Sequence, residues 1–144
     1  MKIYADTSFL ISLYSLDANS SVAVQTMQNS TGERYITALG ELEVLNVFEL
    51  RVFRKELSAQ QVRTSIRDFE SDLRNEILLL RPLTEEMFER ARTLSRQTTA
   101  RLGTRTAELL HVAAALELDA DYLYSFDQQQ RKLARTLGLK LNQA

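Results

Sequence analysis

The spacing of apolar and polar positions changes period many times along the chain. KIYA (2–5) is a short apolar run that stops at Asp6, and TSFLISLYS beyond it switches to helical spacing through Phe9, Leu10, Leu13 and Leu16. SVAVQTMQ reads as a second helix with Asp17 and Asn19 as cap residues, STGE as a turn, and RYIT (34–37) as a second strand. Leu39, Leu42, Leu45, Val47, Phe48, Leu50, Val52 and Phe53 predict a well-buried helix over 39–55, and LSAQQVRTSIRDFESDL (57–73) predicts an amphipathic one opened by Ser58. EILLLRPL supplies a third strand that ends at Pro82, which has no N–H for a ladder. Thr84, Glu85 and Glu86 open a helix with Met87, Phe88, Ala91 and Leu94 on one stripe, and Gly103 breaks it. TAELLHVAAALEL (106–118) is a helix of small residues able to lie close against a sheet, and DYLYSF (121–126) is a fourth strand that ends at Asp127. QQQRKLARTLG forms a last helix closed by Gly138, and LKL gives a short fifth strand. Strands alternating with helices predict an α/β domain whose parallel sheet of four to five strands is covered on both faces.

Composition narrows this picture. The 144 residues, 44% of them hydrophobic, suit one domain over 1–144, with no Pro/Gly/Ser-rich stretch to divide it. Eighteen basic and nineteen acidic residues leave a formal charge of -1, so no whole-molecule field attracts nucleic acid or acidic membrane, and any polyanion contact needs a local basic patch. The absence of cysteine removes disulfides and thiolate metal sites. With no recognisable signal peptide, a cytoplasmic location is the expectation. The apolar runs are too short to span a bilayer, so no membrane role is expected.

The chemistry lies in the acids. Two strands, KIYA and YLYSF, end in an aspartate, Asp6 and Asp127. In an open parallel sheet the ligand crevice lies at the carboxyl ends of the strands, which would place both carboxylates in one cleft. Each also reads as the N-cap of the helix that follows. Glu43 sits inside LGELEVLNVF with Asn46 one turn on, where Asn46 is a candidate to orient it, and Glu108 sits in TRTAELLHVAAAL with Arg105 and His111 one turn either side. Acids are seldom buried unless paired or bound to metal. The competing readings are an exposed helix face for Glu43 and a favourable first-turn charge for Glu108. A cluster of carboxylates needs hard cations to offset its repulsion, and Mg²⁺ or Mn²⁺ with oxygen ligands suits metal-assisted phosphodiester hydrolysis. Other chemistries lack their residues: there is no Cys nucleophile, no GxxxxGK[ST] loop, no GxGxxG and a single histidine. His111, within an Ala/Leu helix, reads first as a packed, hydrogen-bonded residue.

YADTSFLISLY, LGELEVLNVF, RTAELLHVAAAL and YLYSFDQQQRKLARTLGL stand in the order and spacing of PIN domains. From Lys2 to about Leu139 the chain resembles the VapC-type ribonuclease toxins of type II toxin-antitoxin modules. The resemblance implies a three-layer α/β/α sandwich and a ribonuclease that hydrolyses RNA. It assigns catalytic roles to Asp6, Glu43, Glu108 and Asp127, with Asp6, Glu108 and Asp127 as ligands of Mg²⁺ or Mn²⁺ and Thr7 and Ser125 in support. Glu108 departs from the Asp that relatives usually carry. That departure keeps open a second reading, a weak or inactive PIN domain that binds RNA or protein. A haloacid-dehalogenase-like phosphotransfer enzyme also places an Asp after its first strand, but the acid it wants two residues on is here Ser8.

Substrate and partner surfaces complete the reading. Arg92, Arg96, Arg101 and Arg105 occur with no acid between residues 92 and 105, a local +4, and Arg101 and Arg105 are candidates for RNA phosphates at the cleft rim. Arg131, Lys132 and Arg135 are expected on an outward helix face. Phe48, Phe53, Val62, Ile66 and Phe69 promise more apolar surface than one sheet face hides, which fits a homodimer or, as the resemblance implies, an antitoxin partner.

Overall fold

The computed structural model describes all residues, 1–144. Five strands, β1 (Lys2–Ala5), β2 (Glu33–Thr37), β3 (Leu79–Arg81), β4 (Tyr122–Tyr124) and β5 (Lys140–Leu141), form one sheet ordered β3-β2-β1-β4-β5. Every pairing is parallel. Helices α1 (Thr7–Tyr14), α2 (Ser20–Asn29), α3 (Ala38–Phe53), α4 (Ala59–Arg74), α5 (Glu85–Leu94), α6 (Ala100–Leu102), α7 (Thr106–Glu117) and α8 (Gln128–Thr136) make the connections.

Side chains alternate across each strand, so the two faces of the sheet build two cores. Ile3, Ala5, Ile36 and Tyr124 pack with Phe9, Leu10, Phe48, Val62 and Phe69 of α1, α3 and α4. Tyr4, Tyr35 and Leu123 pack on the opposite side with Leu109, Leu110, Val112 and Ala113 of α7 and Leu133 of α8. This is the three-layer arrangement expected, and β5 completes the five strands. The caps read at Ser58 and Thr84 open α4 and α5, whereas Asn19, before α2, makes no side-chain cap bond. Ser58 accepts from Gln61 N–H at 3.1 Å and Thr84 from Met87 N–H at 3.2 Å. No helix is long and apolar enough to cross a membrane.

Four expectations are corrected. Phe48, Val62 and Phe69 are fully buried in the core rather than spread on a surface, while Phe53, at 81% exposure, and Leu42, at 65%, stand outside a helix expected to be buried throughout. The α3 stripe that is covered runs through Gly40, Val44 and Phe48, at a spacing of four. The helix before Gly103 does not run straight; Ser95–Thr99 form a π turn in which Thr98 donates its hydroxyl to Leu94 O at 2.7 Å. A buried hydroxyl bonding back to a carbonyl of the preceding turn is a known cause of such distortion. β3 and β4 are also shorter than their apolar runs, three residues each. Finally, Arg131 does not face outward: it is buried, and its guanidinium donates to Ser125 O at 2.9 Å and Asn142 Oδ1 at 3.1 Å.

Gly32 sets the entry to β2. Its φ is +105°, and a Cβ there would lie 2.1 Å from the carbonyl oxygen of Met1, which also accepts Glu33 N–H at 3.0 Å. Gly32→Ala is expected to cost about 2 kcal/mol by combining a strained backbone with a clash that only backbone movement relieves. Urea unfolding checks it, and an unchanged midpoint would contradict it.

Candidate active site

The sheet order reverses direction between β1 and β4: the chain winds outward through β2 and β3, then returns to the other side of β1. Strands that diverge in this way leave a crevice at their carboxyl ends. A cleft of about 190 Å³ opens there, and all four acids singled out in the sequence line it together with Thr7, Arg105 and His111. Asp6 follows β1, Asp127 follows β4, Glu108 lies in the first turn of α7 and Glu43 in the second turn of α3. Helix N-termini favour negative charge, so the starts of α1, α7 and α8 help to hold carboxylates there.

The cap reading and the cleft reading both hold for the aspartates. Asp6 Oδ1 accepts from Phe9 N–H at 3.0 Å and Ser8 Oγ at 2.7 Å, and Asp127 Oδ1 accepts from Gln130 N–H at 3.0 Å. Glu108 Oε2 accepts from Arg105 N–H at 2.8 Å, closing the start of α7. Glu43 Oε1 accepts from Thr7 Oγ1 at 2.7 Å and lies 2.5 Å from His111 Nε2. Each acid spends one oxygen on these bonds and leaves the second outside them.

Charge in the cleft is poorly compensated. Asp6 is only 2% exposed, and no basic side chain forms an ion pair with Asp6, Glu108 or Asp127. Burial pushes the Asp6 carboxyl above its ordinary range; His111, the hydroxyls of Ser125 and Ser8 and the Phe9 N–H offset only part of that. Burial would raise Glu43 too, but hydrogen bonds from His111 and Thr7 outweigh it and hold this carboxyl below its usual value.

The supporting residues divide. Thr7 binds Glu43 directly. Ser125 is fully buried and its Oγ accepts Asp127 N–H at 3.0 Å, so it orients the turn that carries Asp127. Asn46 is exposed, outside the cleft lining and without a hydrogen bond to Glu43. Arg105 lines the cleft, whereas Arg101 sits on exposed α6 outside it. Arg92 pairs with Glu85 at 2.8 Å on the solvent side.

Three participants were missed in the sequence. Ser8 donates to Asp6 and its Oγ accepts Phe126 N–H at 2.9 Å, clamping β1 to the exit of β4. Tyr4, which the apolar run places simply in the core, sends its hydroxyl to His111 Nδ1. Gln130 donates to Glu108 O at 3.1 Å. For Ser8 a signal existed in the hydroxyl pair that follows Asp6; for Tyr4 and Gln130 there was none.

The donor set suits a hard divalent cation: oxygen ligands only, acids with a free oxygen, and one buried carboxyl short of positive charge. No three of these side chains gather around a single point. Mg²⁺ keeps several waters in its shell, so a partial protein shell is compatible with its binding.

An α/β domain with an acid-lined cleft at the reversal of a five-stranded parallel sheet is the class that fold and site define. The chain belongs to the PIN domain family, whose model matches residues 3–136. Among solved structures it is similar to VapC20 of Mycobacterium tuberculosis, described as a sarcin-ricin loop cleaving toxin, at 16% identity and TM-score 0.69 over 90% of this chain and 93% of that one. It is also similar to VapBC-1 of nontypeable Haemophilus influenzae, at 15% identity and TM-score 0.65 over 98% and 96%. A toxin-antitoxin complex from Klebsiella pneumoniae matches at 15% identity and TM-score 0.63 over 89% and 88%. No curated protein matches the chain.

Proposed function

We propose that this PIN domain is a divalent-metal-dependent endoribonuclease and the toxin of a toxin-antitoxin pair. The observation that carries the reading is the cleft itself: Asp6, Glu108 and Asp127 stand in it without basic partners, beside an Arg105 that pairs with no acid. The descriptions of two similar structures, a sarcin-ricin loop cleaving toxin and a toxin-antitoxin complex, support the substrate class and the partner.

Asp6, Glu108 and Asp127 would hold Mg²⁺ or Mn²⁺, which when bound lowers the pKa of a water and offsets charge at the leaving oxygen. Glu43, kept ionised by its hydrogen bonds, is placed to accept a proton from a water in the cleft. Arg105 supplies a guanidinium to a phosphate at the rim, and Arg101 extends that contact outside the cleft. Such contacts position the backbone of the RNA without reading bases. Leu16, Leu42 and Phe53, the large apolar side chains exposed on α3 and after α1, support a protein partner, an antitoxin or a second copy of the chain.

The second reading, a binding module without activity, is favoured by one feature: the Glu108 carboxylate is turned back onto Arg105 N–H. Glu108→Gln separates the two. The amide keeps an oxygen for that N–H, so stability is expected to change by less than about 0.5 kcal/mol, while Mn²⁺ affinity falls about tenfold. Calorimetric titration with Mn²⁺ and a thermal melt measure both, and unchanged affinity would remove Glu108 from the site.

The function is tested by incubating purified protein and an RNA with Mg²⁺ or Mn²⁺. Cleavage that EDTA stops is expected; no cleavage with either metal would favour the binding module. Growth arrest on expression of the chain alone tests the toxin half of the proposal.

A further inference from the structure

His111 is the single histidine of the chain, and both of its ring nitrogens are engaged. Nδ1 lies 2.7 Å from the Tyr4 hydroxyl, which in turn lies 3.0 Å from Thr37 Oγ1, the cap of α3. On the other side Nε2 lies 2.5 Å from Glu43 Oε1, and Thr7 donates to that same oxygen at 2.7 Å. The line from Thr37 through Tyr4 and His111 to Glu43 therefore runs from the buried end of β2 into the cleft. Tyr4 is fully buried and His111 is 3% exposed, so water does not substitute for either partner. The two rings meet edge to face, with centroids 5.7 Å apart and planes inclined by 63°.

An ionised carboxylate only accepts hydrogen bonds, so the proton shared with Glu43 belongs to Nε2. We propose that Tyr4 and His111 are positioning residues for Glu43: the Tyr4 hydroxyl fixes the imidazole through Nδ1, and the Nε2–H so aimed pins Glu43 Oε1, leaving Oε2 as the oxygen offered to the cleft. Two donors on one carboxylate oxygen stop the Glu43 side chain from swinging out to solvent, to which its place on a half-buried turn of α3 would otherwise admit it. A residue one shell behind the reacting groups typically changes activity 10- to 100-fold, by about the amount lost when a first-rank group is misoriented.

The positioning role rests on the ribonuclease reading of the same cleft for its kinetic consequence. Because there is one histidine, a long-range ¹H–¹⁵N correlation spectrum of the imidazole reports its protonation without ambiguity and without substrate. Nε2–H is expected in the wild type. Tyr4→Phe keeps the ring that fills the core and removes only the hydroxyl; the Nδ1 resonance is expected to move, a second tautomer to appear, and kcat for RNA to fall about tenfold with KM little changed. His111→Gln, whose amide can still donate toward Glu43, is expected to retain more activity than His111→Leu, which fills similar space without a donor, a ranking that loss of packing alone would not produce. An imidazole carrying its only proton on Nδ1 overturns the proposal, as does a folded Tyr4→Phe protein with the wild-type histidine spectrum and kcat. A wild type that cuts no RNA overturns the ribonuclease reading instead, and the Tyr4→Phe spectrum then decides the positioning by itself.

Discussion

Asp6→Asn is expected to reduce RNA cleavage by about a thousandfold, the order seen when a group that stabilises charge is removed from an active site, and at the same time to leave the protein more stable than the wild type. Both effects come from one carboxyl. Asparagine keeps an oxygen for Phe9 N–H and Ser8 Oγ, so the cap of α1 survives. It cannot carry the negative charge that a cation needs. The wild-type carboxyl is buried and its pKa lies above the ordinary value of 3.8, so the folded state binds its proton more tightly than the unfolded state does. The stability this group contributes is therefore fully present below pH 3.8 and is lost as the pH rises through the folded-state value. Above the folded-state value the wild type carries a buried charge that its neighbours offset only in part, and Asp6→Asn removes it for a gain of about 1 kcal/mol, a few degrees in Tm. Melts at pH 4 and pH 7 should show the variant's advantage growing with pH. Full activity, or a variant much less stable at pH 7, would contradict this.

The largest loss of stability is expected from Arg131→Met. The Arg131 guanidinium donates to Ser125 O and Asn142 Oδ1, and Asn142 Oδ1 also accepts Ser125 N–H at 2.8 Å. One buried fork thus ties α8 and the residue after β5 to the exit of β4, two residues before Asp127. Methionine replaces the stem but not the donors, and two hydrogen bonds from a charged group are lost in a buried place. The cost is about 3 kcal/mol, or about 10 °C in Tm. Asn142→Ala shares the same partners, so the double variant should lose less than the sum of the two. A loss below about 1 kcal/mol would show that the fork is dispensable.

The sequence made the order of strands and helices legible because each change of period coincides with a residue that enforces it. Asp6, Ser58, Thr84 and Asp127 start helices where their side chains accept an N–H, and Gly103 ends one with a positive φ of 68°. The acids were legible as a cleft for a related reason: Asp6 and Asp127 lie at strand ends and Glu43 on the helix that follows β2, places that a parallel sheet brings to one edge, while Glu108 reaches the same edge on α7, which follows α6. What escaped was contact between distant residues. Nothing local distinguishes Tyr4 from an apolar strand residue, since its ring belongs to the core and only the hydroxyl reaches His111. Arg131 has the spacing of a solvent-facing charge, and only the fold shows that Ser125 and Asn142 wait beneath it. His111 was read as packed and hydrogen-bonded, which it is, but its partner turns out to be Glu43 in the cleft. Arg101 and Asn46 illustrate the opposite error, in which proximity along the chain to a cleft residue does not put a side chain into the cleft.

The central claim is that Asp6, Glu108 and Asp127 share one divalent metal. Crystals of the wild-type protein soaked in Mn²⁺ test it most directly, through anomalous scattering measured at the manganese edge. Density within about 2.0–2.3 Å of carboxylate oxygens from at least two of the three acids is expected. Manganese bound elsewhere on the surface, with the cleft empty at a concentration that supports RNA cleavage, would contradict it.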